Sequence, residues 1–277
     1  MKIAILTDSC LGGDPHKYSN MTIIPLMITK EDGTQIYDDE NFNKDDFYNL
    51  LEKEALKTSQ TITGDVINAY DKMLEKYDQV VVMLLSKGLS GQYQTALMLA
   101  NEEKYKNKIF VVDTNGVSIV MEHLIDRVYD FIEQGLNGTQ IKEKIESLNN
   151  KFVGFIIPKN LKTLVRGGRI SKAAAGFAKL LKINPILRYN GQIDKFSKER
   201  TFKKAVRLVL AQIQKEIPGI TQIDLTYSRS PKETIDLVHG IINDSGLIIN
   251  LERDLSNVIA AHTGTETFAF IAWMKEE

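Results

Sequence analysis

The sequence predicts an α/β protein: an N-terminal α/β domain built on a parallel sheet, then a C-terminal α+β domain containing antiparallel strands. Two patterns carry this. In the first half, short and uniformly apolar runs alternate with longer amphipathic ones, as a parallel sheet covered by helices on both faces requires. In the second half, Tyr189-Asn190-Gly191 separates two candidate strands, and Asn-Gly is a strong hairpin signal. The boundary is placed near Lys151, giving domains 1–151 and 152–277.

Taken in order, Lys2–Thr7 and Thr22–Ile28 read as buried strands that end in polar stretches. Asp45–Ala55 follows as a helix, with Phe47, Leu50, Leu51 and Ala55 at helical spacing. Val66–Tyr77 is a helix, Gln79–Leu85 an unbroken apolar strand, Tyr93–Ala100 a helix and Lys108–Val112 a strand. Val117–Ile132 and the polar-faced Ile141–Leu148 complete the half as helices. Beyond the boundary, six strands are expected: Phe152–Ile157, Ile183–Leu187, Gln192–Phe196, Thr221–Tyr227, Leu247–Leu251 and Thr267–Trp273. Ala205–Ile213 carries Val206, Val209, Leu210 and Ile213 on one helical face.

Composition narrows the function classes. The 277 residues are 43% hydrophobic and 26% charged, ordinary for a globular protein. With 35 Lys and Arg against 36 Asp and Glu, the chain lacks the strong basicity of a nucleic-acid binder. One cysteine, Cys10, excludes an internal disulfide framework. Histidines at 16, 123, 239 and 262 show no metal-ligand spacing, so no metal is expected. No phosphate-loop or dinucleotide glycine motif occurs, so no cofactor is expected either. Too few residues separate Lys2 from Asp8 for a signal-peptide core, and no apolar run approaches the ~20 residues of a membrane span. The expectation is a cytoplasmic protein without stable membrane insertion.

Chemistry concentrates in a few stretches. Thr58–Gly64, between two helices, and Ser86–Gly91, between a strand and a helix, offer hydroxyls and backbone N–H groups where helices begin, an arrangement that attracts anions. The plainer reading is that Thr61 and Ser90 cap those helices. Gly88-Leu89-Ser90-Gly91-Gln92 approaches the Gly-x-Ser-x-Gly elbow of a serine hydrolase but breaks it at Gln92. Leu161–Ser171 pairs Gly167 and Gly168, which permit close backbone approach, with Arg169, whose planar fork suits a carboxylate or phosphate. The plainer reading is a surface loop with Ser171 capping the next helix. Ala261-His262-Thr263-Gly264 follows a polar segment near the C-terminus. Lys195, Lys198, Arg200, Lys203, Lys204 and Arg207, opposed locally by Glu199 alone, form either a docking face for an acidic partner or a solvated surface.

In this order, the segments resemble the DegV family of bacterial fatty-acid-binding proteins over essentially the whole chain. The resemblance is carried by Thr7-Asp8-Ser9, Ile24-Pro25-Leu26, Thr58-Ser59-Gln60, Leu89-Ser90-Gly91-Gln92-Tyr93, Arg166–Ser171, Asn184-Pro185-Ile186-Leu187, Lys198–Ala205 and His262-Thr263-Gly264. It implies a carrier that is not itself an enzyme, holding one long-chain fatty acid with its tail in an apolar tunnel. The carboxylate would be bound by Thr58, Ser90, Arg169 and His262, with Ser59, Thr61 and Gly91 supporting the head-group loop. It further implies a separate fatty-acid kinase subunit that makes the acyl-phosphate for phospholipid synthesis and docks on Arg200, Lys203 and Lys204. The alternatives are an acyl hydrolase or transferase using Ser90, or a carrier of another anionic lipid. The chain departs from the family pattern at Thr61-Ile62, at Lys87 beside the head-group loop, and at Glu266, where small residues including glycine are common.

Overall fold

Apolar runs too short for helices form the strands of the first half. β1 (Ile3–Asp8) is buried at every position, as a strand covered on both faces must be. The strand expected over Thr22–Ile28 divides at Pro25. β2 (Met21–Ile24) lies beside β1, whereas β3 (Met27–Thr29) joins β4 (Gln35–Tyr37) and β5 (Lys57–Ser59) in a separate antiparallel sheet, order β4-β3-β5. Proline has no N–H to donate and a fixed φ, so it breaks a ladder. The Thr58–Gly64 stretch, expected as a loop, therefore opens as a strand, with Thr58 opposite Ile28.

The chain continues through α1 (Lys44–Lys53), β5, α2 (Thr63–Leu74), β6 (Gln79–Met83), α3 (Gln92–Ala100), β7 (Ile109–Val112), α4 (Ile119–Glu133) and α5 (Gly138–Ser147). The main sheet has order β2-β1-β6-β7 and every pairing in it is parallel. Against it pack Val66, Tyr70, Ala96 and Leu99 from α2 and α3. Asn43 and Asn137 cap α1 and α5 through their side chains.

All six strands expected in the second half form, close to their expected ends: β8 (Phe152–Ile157), β9 (Asn184–Tyr189), β10 (Ile193–Glu199), β11 (Gln222–Tyr227), β12 (Ile248–Asp254) and β13 (Phe268–Trp273). Their order is β10-β9-β8-β13-β11-β12, antiparallel at every pair except β11–β12. The Asn190-Gly191 hairpin joins β9 to β10, with Gly191 at φ +85°. Val153, Phe155 and Ile157 of β8 alternate onto one face with Phe268 and Phe270 of β13. There they meet Val206, Val209, Leu210 and Ile213 of α8 (Phe202–Glu216) and Val238, Ile241 and Ile242 of α9 (Lys232–Asp244). The apolar face anticipated for α8 is the one buried.

Short helices complete this half: α6 (Leu161–Gly167), α7 (Lys172–Ala175) and α10 (Asn257–Thr263). The plainer reading of Leu161–Ser171 as a surface loop is corrected in its first part, because Asn160 accepts the Lys162 N–H and starts a helix there. Ser171 does cap α7, accepting the Ala174 N–H at 3.1 Å. The computed structural model describes residues 1–14, 16–176 and 183–274. They divide into two compact units: Met1–Asn149 with Ser256–Val258, and Asn150–Leu255 with the residues from Ile259 onward.

Candidate functional site

The parallel sheet offers one position where loops diverge. From β1 the chain crosses to β2 on one side, and β6 and β7 lie on the other. In open α/β sheets, ligands bind outside the carboxyl ends of the strands at such a switch point. Asp8, the last residue of β1, is fully buried there. Its Oδ1 accepts the Cys10 N–H at 3.1 Å and its Oδ2 the Leu85 N–H at 2.9 Å, which ties the loop after β1 to the loop after β6. Burial raises the Asp8 pKa, opposed by these hydrogen bonds. It also drives the Cys10 thiol pKa well up, which makes the cysteine inert rather than nucleophilic.

The two hydroxyl-bearing loops are bound together at this end. Gln92, the first residue of α3, accepts the Thr61 N–H at 2.9 Å and donates Nε2 to Thr61 Oγ1 at 2.8 Å. Thr61 Oγ1 in turn donates to the Pro25 carbonyl at 2.8 Å, just past β2. Thr95 Oγ1 donates to Gln60 Oε1 at 2.9 Å. The capping reading of Thr61 is thereby corrected: α2 starts from Ile62 with no side-chain cap, and Thr61 is 1% exposed with its hydroxyl spent on Pro25. The capping reading of Ser90 is corrected too, because α3 starts from Gly91 with no side-chain cap. Ser90 Oγ accepts the Gln92 N–H at 3.1 Å, and a hydroxyl that accepts still has its hydrogen to donate. Thr58 and Ser90 are each half-buried, while Ser59 and Gly91 are exposed. Gln92 and Asp8 stand inside the motifs singled out above, yet their clamping roles carry no local signal.

In the second unit, α6 and α10 bring Gly167, Arg169 and His262 together. A Cβ on Gly167 would stand 2.3 Å from His262 Nδ1, so only glycine admits the ring this close. Gly168 ends α6 in the left-handed region at φ +68°, and its N–H donates to the Val165 carbonyl. Arg169 Nη1 donates back to the Gly167 carbonyl. Burial, then the Arg169 and Arg166 charges, push the His262 pKa down to about 4, so the ring is neutral at neutral pH. A neutral imidazole presents one N–H donor and one acceptor. Beside a guanidinium fork, this set can bind a carboxylate without burying a second full charge.

The two charged departures from the family pattern are both paired. Lys87 bonds Asp113, just past β7. Glu266 is held by Lys159 Nζ at 2.8 Å, on a residue at φ +53° whose N–H donates to the Arg229 carbonyl. The basic run lies elsewhere, along β10 and the first turns of α8. Lys195, Lys198, Arg200, Lys203, Lys204 and Arg207 are all exposed, and among the described residues none of them takes part in an ion pair. Phe196 stands among them, 37% exposed, with its ring edge-on to Phe155. Among the described residues, no group of His, Cys, Asp or Glu could hold a metal ion, and no helix is long and apolar enough to cross a membrane.

Comparison with known proteins places these features in context. The family described as "Uncharacterised protein, DegV family" matches residues 2–275. The DegV domain-containing protein SA1258 of Staphylococcus aureus is 27% identical over 281 residues, covering 99% of each chain. Among solved structures, the fatty acid binding DegV family protein SAG1342 of Streptococcus agalactiae superposes with a TM-score of 0.88 at 27% identity, covering 100% of both chains. A DegV family protein of Thermus thermophilus, described for its fatty acid binding, gives 0.86 at 26% identity, covering 99% of this chain and 100% of that one.

Proposed function

The chain belongs to the DegV family, and from that premise we propose that it binds one long-chain fatty acid and presents it to a separate kinase. The observation that carries this reading is the clamped pair of hydroxyl loops at the switch point, joined through Thr61 and Gln92. Thr58 and Ser90 donate to the carboxylate, with Ser59, Thr61 and Gly91 shaping the loop around them. Arg169 and neutral His262 complete the set. A buried carboxylate must be paired, and hydroxyl and guanidinium donors are the partners it needs. The tail supplies the affinity in an apolar tunnel, since each buried methylene contributes about 0.8 kcal/mol at most.

On this reading the protein is a carrier, not an enzyme, and takes no cofactor. Gentle purification followed by lipid extraction and mass spectrometry tests it directly, and a co-purified free fatty acid is the expected result. An extracted anionic lipid without a free carboxylate would redirect the assignment to that class. Turnover of an acyl ester, lost in Ser90→Ala, would replace the carrier with a hydrolase or transferase.

Hand-off is assigned to the exposed basic run at Arg200, Lys203 and Lys204, which suits an acidic kinase surface. Rim charges act chiefly on association rate and its salt dependence. In Arg200→Glu, fatty-acid affinity stays at the parent value while acyl-phosphate formation with the cognate kinase slows. Added salt slows the parent similarly, because exposed charges are screened beyond about 8 Å near physiological ionic strength. A lipid titration beside a coupled kinase assay at two salt concentrations decides the matter. Equal kinase rates for parent and variant would make this run an ordinary solvated surface.

A further inference from the structure

The loop that carries Ser90 leaves β6 and turns back on itself over residues 86–91. The Leu89 and Ser90 N–H groups both donate to the Ser86 carbonyl, at 2.9 and 3.1 Å, and the Gly88 N–H donates to Ser86 Oγ at 3.3 Å. The base of this turn is tied to the neighbouring loop after β7. There the Ser86 N–H donates to the Gly116 carbonyl at 3.0 Å, and Thr114 Oγ1 donates to the Leu84 carbonyl at 3.0 Å. At the tip, the Lys87 ammonium bonds the Asp113 carboxylate. Asp113 is itself fixed on both sides of its Cα: its N–H donates to Glu146 Oε1 at 2.9 Å, and its carbonyl accepts Asn149 Nδ2 at 2.7 Å. Asn149 also accepts the Asn115 N–H at 2.8 Å, which fastens the loop after β7 to the chain just past α5. Every one of these residues lies in the first unit.

We propose that Asp113 is a positioning residue for Ser90, holding the tip of the hydroxyl loop in place through its ion pair with Lys87. A turn attached at both base and tip cannot pivot about its base. The carboxylate end of the pair is the rigid one, since backbone hydrogen bonds hold Asp113 from two directions. The lysine, on its flexible four-carbon stem, is the partner whose freedom the pair removes. The hydrogen bond to Asp113 raises the Lys87 pKa, so the lysine stays charged well above neutral pH. With side chains 54% and 24% exposed, the pair is an ordinary solvated one, and its effect on the loop is about two- to fivefold.

The inference rests on the reading of Ser90 as a carboxylate donor, so its test reads the loop separately from the lipid. Titration with cis-parinaric acid at neutral pH is compared for the parent, Asp113→Asn, Lys87→Gln and the double variant. Charge alone predicts opposite signs: losing Asp113 removes a like charge from around the anionic ligand and tightens binding, whereas losing Lys87 weakens it. Positioning predicts one sign. Each single variant binds about two- to fivefold more weakly, and the double variant binds no more weakly than either, because both substitutions break the same pair. The gap from the parent narrows in about 1 M salt, where charges are screened beyond about 3 Å. In the unliganded protein, hydrogen exchange at the Leu89 and Ser90 amides is faster in all three variants by a similar factor, while melting stays cooperative. Should Asp113→Asn fail to fold, Lys87→Gln, at a half-exposed side chain, must still show the faster exchange and the weaker binding.

Tighter or unchanged binding in Asp113→Asn overturns the positioning role, and so do additive losses in the double variant. Parental exchange at both amides overturns the tether, whatever the lipid does. Failure of the parent to bind the probe counts against the fatty-acid reading alone, and the exchange data still decide whether Asp113 holds the Ser90 loop.

Discussion

In Gly167→Ala, fatty-acid affinity falls by one to two orders of magnitude while the protein still folds. The new methyl would stand 2.3 Å from His262 Nδ1, a separation that no real Cβ contact sustains. The ring cannot retreat freely, because the residues before and after it, Ala260, Ala261 and Thr263, are buried in α10. Overpacking of this kind costs about 1–3 kcal/mol. Since 1.4 kcal/mol is tenfold, about that factor or more is lost wherever the imidazole must donate to the ligand. Alanine is otherwise the better helix former at this position by about 0.5–1 kcal/mol, so backbone propensity does not confound the result. Gly168→Ala is the matched control. A Cβ there meets nothing within 4 Å, but φ is +68°, so the expected effect is a lower melting temperature with lipid affinity retained. Titration and melting of both variants separate the two cases, and parental affinity in Gly167→Ala would remove His262 from the head-group site.

Thr58→Ala and Ser90→Ala each weaken fatty-acid binding by roughly ten- to a hundredfold. A hydrogen bond to a charged group contributes about 1.5–3 kcal/mol. Ser90→Ala also removes an acceptor for the Gln92 N–H, so a small drop in stability accompanies it, on the order of 1 kcal/mol as at other helix starts. Thr61→Val behaves in the opposite way. Its hydroxyl is buried and serves both the Pro25 carbonyl and the Gln92 amide. Removing it leaves both buried groups unpaired, at about 1–3 kcal/mol each, and the melting temperature falls markedly. Isothermal titration with a free fatty acid alongside thermal denaturation distinguishes these outcomes. If both alanine variants bind as tightly as the parent, the carboxylate is held by other groups.

The elements legible in the sequence carry local signals. Six strands of the second sheet, the Asn190-Gly191 hairpin and the buried face of α8 each follow from a period or a turn dipeptide within a few residues. The break at Pro25, which divides the expected strand Thr22–Ile28 into β2 and β3, is equally local, because proline interrupts a ladder. The separate β4-β3-β5 sheet is not legible, because strands of three residues carry too little pattern to stand out.

The sequence by itself determined the fold class, the parallel core of the first half and the motifs from which a head-group site could be read. Only the tertiary structure decided which of those side chains bind structure and which are left to bind a ligand. Asp8 with Leu85, Thr61 with Gln92 and Pro25, Asn257 with Phe42, and Gly167 with His262 are partners separated by tens to hundreds of residues. Periodicity reports which face of one element is buried. It carries no information on what that face meets, since the meeting depends on strand order and register, which are settled by packing over the whole chain.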